Sequence, residues 1–389
     1  MNSLRDIVES SRQWRGLVMN VMHTLRGEET PQPLAPARWD WLNVRKVLLV
    51  RLRSIGDTVL ATPSAYALKR FLPNVEVDIL LEDWVAPLLE DLDCLNRIVR
   101  LERGSVASRA HVAREIRAAR YDVVYNLHGG TTATLLTRAT GATHRVGYAT
   151  YQYARLHNHL SPSPLLLWGQ QKAHSVEQQL ALLGWTGVPV SDRPPTRLAV
   201  TPEAAAEVSR RLSLAGLDDR KFAVVHPAAA FATKQWATDK FARVVEFLAE
   251  RGIAVVSIAG PNETAVLNEL TSESSARVVS FDLSLPEVTA LAARARLFVG
   301  NDSGIAHIAA AVGAPSVVVF GSSNIAHWRP WANTPVEIVY EEMPCQPCHG
   351  YFCEKFEQPE CILRVPVARV TAAIDRILNI GYFPLPIAD

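Results

Sequence analysis

Several things are scarce or missing in this 389-residue sequence, and each absence excludes a class of protein. No uninterrupted apolar run is long enough to span a bilayer. The first residues, Met1-Asn-Ser-Leu-Arg-Asp, lack the charged-then-apolar pattern of a secretory leader. Charge of either sign is not in excess: the formal net charge is +1, which gives no support for a nucleic-acid partner. Cysteine is rare and uneven, with four of the five residues crowded between Cys345 and Cys361, unlike a disulfide framework spread over a secreted chain. These features together point to a cytoplasmic protein. The first strand-to-helix loop, Arg51-Leu-Arg-Ser-Ile-Gly-Asp57, holds one glycine where a dinucleotide-binding turn needs three, which argues against an oxidoreductase.

What is present is a long alternation of apolar strands and amphipathic helices. The hydrophobic share of 48% and the length suit two globular domains, each able to bury its own core. Residues 1–43 stand apart. Leu4, Ile7, Val8, Trp14, Leu17, Val18, Val21, Met22 and Leu25 fall on one side of a helix, and Thr30-Pro-Gln-Pro-Leu-Ala-Pro36 reads as an extended linker. That helix has two readings: peripheral association with the inner membrane, or packing on its own domain or on a second subunit. From Lys46–Val50 onward, strands are expected at 75–81, 97–100, 121–127 and 145–148, with a helix from Thr58 to Leu72. The polar, proline-broken stretch 191–196 marks a domain join, so the first domain is set at 44–195. The pattern restarts with strands at 223–226, 254–259, 297–299 and 316–320, giving a second domain at 196–365, followed by a C-terminal helix within 366–389. Two successive β-α arrays predict an α/β chain with two doubly wound domains.

Three stretches carry the chemistry. Phe298-Val-Gly-Asn-Asp-Ser-Gly-Ile-Ala-His307 reads as a strand turning tightly into a helix. The free N–H groups at that helix start, with Gly304 leaving them open and Ser303 adding a hydroxyl, suit a phosphate or diphosphate. Val47-Leu-Leu-Val-Arg-Leu-Arg-Ser-Ile-Gly-Asp-Thr-Val-Leu-Ala-Thr-Pro63 places Asp57, Arg51 and Arg53 after a strand, where open α/β sheets bind ligands. His226-Pro-Ala-Ala-Ala-Phe-Ala-Thr-Lys-Gln-Trp236 brings Lys234 to a third such loop. In this order the three stretches resemble the heptosyltransferase family of bacterial lipopolysaccharide synthesis, glycosyltransferase family 9. The resemblance covers roughly Val44 to Leu378 and leaves the N-terminal segment outside.

The resemblance implies two facing Rossmann-like domains of GT-B architecture, with an active site in the cleft between them and a return of the C-terminal helix across to the first domain. It implies an inverting glycosyltransferase that moves a heptose from ADP-heptose to a lipopolysaccharide core acceptor. Asp57 matches the family's acceptor-deprotonating Asp; apart from the resemblance it reads as the N-cap of the helix beginning at Thr58. Lys234 matches the family's Lys-x-Trp pattern and is the cation for the departing diphosphate, against the ordinary fate of a solvated lysine. Ser303 and Gly304 would supply neutral donors to that diphosphate, Asp302 would orient the loop or contact the sugar, and His307 matches the family's final His. Glu263, in Gly260-Pro-Asn-Glu263, is a looser match to an acidic residue on the ribose hydroxyls. Arg51 and Arg53, with His128 and Arg145, are candidates for an anionic acceptor; a solvated basic rim is the alternative. No Asp-x-Asp pair stands in the three stretches, and the expectation is catalysis without a metal cofactor.

Cys345, Cys348, Cys353 and Cys361 would make a four-thiolate site for structural zinc or iron, the alternative being reduced thiols. Lone Cys94 reads as core. Rival functions are the same fold with another sugar nucleotide or a protein acceptor, a sugar-nucleotide epimerase, and a non-catalytic nucleotide-sugar scaffold.

Overall fold

The computed structural model describes residues 30–217, 221–260, 262–348 and 350–380, so the amphipathic pattern at 4–25 lies outside the described residues. Among the described residues, twelve strands form two six-stranded sheets, all of whose pairings are parallel. The first holds β1 (Lys46–Val50), β2 (Glu76–Glu82), β3 (Arg97–Leu101), β4 (Val123–Asn126), β5 (His144–Tyr148) and β6 (His159–Ser161), in the order β3-β2-β1-β4-β5-β6. The second holds β7 (Phe222–His226), β8 (Ala254–Ile258), β9 (Val278–Phe281), β10 (Leu297–Asn301), β11 (Ser316–Phe320) and β12 (Val336–Tyr340), in the order β12-β11-β10-β7-β8-β9. The two orders are the same when each array is counted from its own first strand. Each sheet reverses direction of growth beside its first strand, at β1/β4 and at β7/β10, and such switch points are where open α/β sheets bind ligands. This is the expected α/β architecture.

The strands form because their apolar residues fill both faces of a covered sheet. Val47 and Leu49 pack with Val77, Ile79, Val123 and Tyr125 on one face, while Leu48 and Val50 pack with Leu80, Val99 and Val124 on the other. In the second sheet, Val224, Phe298, Val318 and Phe320 belong to the same apolar cluster as the first sheet's Val47 face. The domains therefore share packed apolar side chains across their junction. A polar tie adds to it: Nε1 of Trp331 donates to the Pro194 carbonyl at 3.1 Å.

Three local expectations change. Residues 30–36 are not a free linker: Leu34 N donates to Gly184 O at 3.0 Å, and Gln32 N to Ser191 Oγ at 2.7 Å, holding the segment on the first domain. The single helix expected over 58–72 is two, Ile55–Val59 and Thr62–Phe71. Pro63 has no N–H for the Val59 carbonyl, and the Thr62 hydroxyl donates to it instead at 2.8 Å. The C-terminal helix Val367–Asn379 buries Val370, Ile374 and Ile377 in the second domain's core with Val317, Val339 and Phe241, rather than packing on the first domain.

Candidate active site

The carboxyl ends of β1, β7 and β10 open into one cleft of about 670 Å³, walled by both domains. From the first domain come Ser54 to Asp57 and Trp84; from the second come His226, Lys234, Glu263, Asp302, Ser303, Gly304 and His307. The parallel topology thus brings together residues far apart in sequence.

Two glycines permit the domains to meet here. A Cβ on Gly304 would stand 2.6 Å from Ile55 Cβ and 3.1 Å from Gly56 N. A Cβ on Gly56 would stand 2.8 Å from Cδ2 of His307. Each glycine accommodates a side chain of the opposite domain, and the helix Gly304–Ala311 points its free N–H groups into the cleft beside the Asp57 loop.

Asp57 is not an N-cap. Ser54 caps the helix Ile55–Val59, and Asp57 sits at its third position, where its Oδ2 accepts from Ser54 N at 3.3 Å and Ser54 Oγ at 3.4 Å. Its Oδ1 accepts from Nη2 of Arg51. Arg51 is 8% exposed, and its Nη1 donates to the Leu127 carbonyl at 2.5 Å, so the arginine is committed to fixing Asp57 and the β4 end. Arg53 is exposed. His128 stands near the Arg51–Asp57 pair with its imidazole pushed down to about 4, by burial first and then by the Arg51 charge. Arg145 is not brought to the cleft. It lies near the amino end of β5 and donates to the carbonyls of Ala142 at 2.6 Å and Leu156 at 3.3 Å.

On the second domain, Lys234 Nζ stands 2.9 Å from Oδ2 of Asp302. The same carboxylate accepts from Ser323 Oγ at 2.5 Å, a contact from the loop after β11. Beneath it, buried Asn301 fastens both ends of the loop after β7: its Oδ1 accepts from Trp236 N at 3.1 Å and its Nδ2 donates to Pro227 O at 2.8 Å. A polar chain runs across the cleft floor. Glu263 Oε2 accepts from Gly260 N at 2.7 Å and lies 3.8 Å from His226 Nε2, while His226 Nδ1 lies 3.4 Å from Ser303 Oγ. With Nε2–H turned toward Glu263, Nδ1 accepts from the serine hydroxyl and orients it. The His226 contact, followed by the Gly260 N–H, holds the Glu263 carboxyl below its ordinary range. His307 is buried, and burial pushes its imidazole below its ordinary value.

His226, Asn301, Ser323 and Trp328 belong to this assembly without having been assigned from sequence. The His-Pro turn and the loop 321–324 after β11 were visible as loops at strand ends. What ties their side chains to Ser303 and Asp302 is tertiary proximity, which has no local sequence signal.

Cys345, Cys348, Cys353 and Cys361 line one cavity of about 410 Å³ behind the Lys234 loop, where Ser322 Oγ donates to Thr233 Oγ1 at 3.0 Å. Burial first, then the neighbouring thiols, push the Cys361 thiol up to about 11. Among the described residues, no group of three or more His, Cys, Asp or Glu side chains is arranged to hold a metal ion. The four thiols share a cavity wall, and the arrangement of the described residues gives the expected four-thiolate metal site no support. Cys94 is buried in the core, as expected. Among the described residues no helix is long and apolar enough to cross a membrane.

Comparison with known proteins adds to this geometry. Residues 109–357 match the model of glycosyltransferase family 9 (heptosyltransferase). The chain is 29% identical over 347 residues to lipopolysaccharide heptosyltransferase 3 of Escherichia coli, covering 84% of this chain and 97% of that protein. Its fold is similar to the glycosyl transferase family 9 structure from Veillonella parvula, with a TM-score of 0.73, 18% identity and coverage of 87% and 98% of the two chains. It is also similar to the E. coli ADP-heptose lipopolysaccharide heptosyltransferase II, with a TM-score of 0.71, 20% identity and coverage of 86% and 99%.

Proposed function

The chain belongs to glycosyltransferase family 9, the heptosyltransferases, and from that premise we propose that it transfers a heptose from ADP-heptose to a saccharide of the lipopolysaccharide core. The observation that carries the reading is the placement of Asp57 and Lys234 on opposite domains of one cleft. A displacement at an anomeric carbon needs a base on one side and charge neutralisation on the other.

The diphosphate is assigned to the N–H groups at Gly304, the Ser303 hydroxyl and the Lys234 ammonium. Lys234 is already held at the cleft by Asp302, so it reaches the diphosphate without first being ordered. Apolar Ile258, Leu283, Leu285 and Val288 flank Glu263 in the same cleft and suit the nucleoside, with Glu263 on the ribose hydroxyls. The acceptor hydroxyl attacks the anomeric carbon opposite the diphosphate. As the new C–O bond forms, the bond to the diphosphate oxygen breaks, its electron pair leaves with ADP, and the hydroxyl proton passes to Asp57. Arg51 and Ser54 orient the Asp57 carboxylate for that transfer. A lipid-borne acceptor places the reaction at a membrane surface, and contact with that surface is assigned to the amphipathic residues 4–25.

The test is calorimetry with ADP, UDP and GDP, followed by product analysis with ADP-heptose and core oligosaccharide. Preferential ADP binding and acceptor-dependent release of ADP are expected. Turnover of the nucleotide sugar to an epimer with no acceptor present would overturn the reading.

A further inference from the structure

Trp84 stands on the first domain just past the end of β2, yet it lines the donor cleft whose nucleoside wall comes from the second domain. We propose that Trp84 is a donor-binding residue: its indole covers the nucleobase of the sugar nucleotide from the side opposite Leu283, Leu285 and Val288, so that the base is held between the two domains. The proposal rests on the glycosyl-transfer reading and adds to it a contact from the first domain to the donor's base.

Exposure is the first observation. Trp84 is 41% exposed, the most exposed of the described tryptophans. Leaving an indole in water forgoes the stabilisation of burying it, and in a concave, largely apolar site an exposed ring marks ligand contact.

The second observation is how the ring is held. Its Nε1 donates to Oε2 of buried Glu82 at 2.8 Å, and its backbone N donates to Asp83 Oδ1 at 2.9 Å. The one polar group of the indole is thus already paired on its own domain, so what the ring offers a ligand is apolar surface and a π-face. The Glu82 carboxylate also orients the ring before a nucleotide arrives, which lowers the ordering cost of binding.

The third is what lies across from it. The turn Ala86–Leu89 follows Trp84 closely and packs on the helix Leu285–Arg294, with Val85, Ala86, Leu88 and Leu89 in the same apolar core as Val288 and Leu291. That core fastens the Trp84 segment to the helix whose first turn, Leu285 and Val288, flanks the nucleoside site. Two other aromatic side chains of the cleft lie elsewhere: Phe231 is beside Lys234, whose Nζ stands 5.5 Å from its centroid, and Trp328 is on the helix Ile325–Trp328 after β11. The second domain's nucleoside wall is aliphatic, with Ile258, Leu283, Leu285 and Val288. Every base has a π-face, and Trp84 supplies the aromatic face for it to stack on.

The experiment titrates full-length wild type, Trp84→Ala and Trp84→Phe with ADP and with pyrophosphate by calorimetry. Because Trp84 is exposed, neither variant opens a cavity in the core. Trp84→Ala is expected to weaken ADP binding about tenfold, within the range for losing one base–aromatic stack, and to leave pyrophosphate within about twofold. Trp84→Phe keeps a ring without the Glu82 bond and should bind ADP within about threefold of wild type. Acceptor KM at saturating ADP-heptose should be unchanged in both variants. Unchanged ADP affinity in Trp84→Ala overturns the proposal. So does an equal loss for ADP and pyrophosphate, which would make the effect a deformation of the diphosphate loop. Raised acceptor KM with wild-type ADP affinity also overturns it, by placing the ring on the second substrate. Wild-type protein that binds no nucleoside diphosphate overturns the glycosyl-transfer reading itself, and the base contact named here with it.

Discussion

Lys234 Nζ and Asp302 Oδ2 stand 2.9 Å apart at the floor of the donor cleft, the lysine about one-quarter exposed and the aspartate almost wholly buried. A cation so held is ordered before any nucleotide arrives. Lys234→Ala is expected to weaken ADP binding by about 1.5–3 kcal/mol, the range for a hydrogen bond to a charged group. Calorimetry giving wild-type affinity would remove the diphosphate from this loop.

Gly304 tests the close approach of the domains. Its Cβ position lies 2.6 Å from Ile55 Cβ, so Gly304→Ala must push the Asp57 loop away. Overpacking of this kind costs about 1–3 kcal/mol, and turnover should fall along with the melting temperature. An alanine variant with unchanged kcat and melting temperature would show that the contact is slack.

His174 ties the domains in a pH-dependent way. Its Nδ1 accepts from Val176 N at 3.1 Å, and its Nε2–H donates to the Arg329 carbonyl at 2.7 Å, which requires the neutral ring. Burial pushes its imidazole down to about 3. Unfolded, the ring titrates at about 6.5, so between the two values the unfolded chain binds the extra proton. The stabilisation is therefore present above pH of about 6.5 and is lost progressively as pH falls toward the folded value, at up to about 1.4 kcal/mol per pH unit. Urea midpoints measured from pH 7 to 4 should fall less steeply in His174→Gln than in the wild type. Equal slopes would assign the acid sensitivity elsewhere.

The central strands and the three loops could be read from sequence because each follows a dense apolar run. The short outer strands β6 and β9 and the half-exposed β12 were missed, since edge strands bury less and carry a weaker pattern. The helix break at Leu60–Ala61 was hidden because apolar residues continue across it, although Pro63 was the available signal. Arg145 shows the limit at the site. The expected strand 145–148 already set Arg145 at its amino end, whereas the cleft forms at carboxyl ends, so strand direction was the signal that argued against it. The cysteine spacing likewise suggested a shared metal, whereas convergence of four thiols depends on the path of the loop between them.

Asp57→Asn tests the general-base assignment most directly. Asparagine keeps an oxygen for Arg51 but puts its amide nitrogen where Oδ2 accepted from Ser54 N, a loss of one contact at the helix start, and it cannot take the acceptor's proton. The measurement is steady-state transfer from ADP-heptose to core oligosaccharide, beside ADP titration of the same variant. Turnover is expected to fall by ~10²–10⁴, with ADP affinity within about twofold of wild type. An Asp57→Asn protein with full turnover would contradict the account.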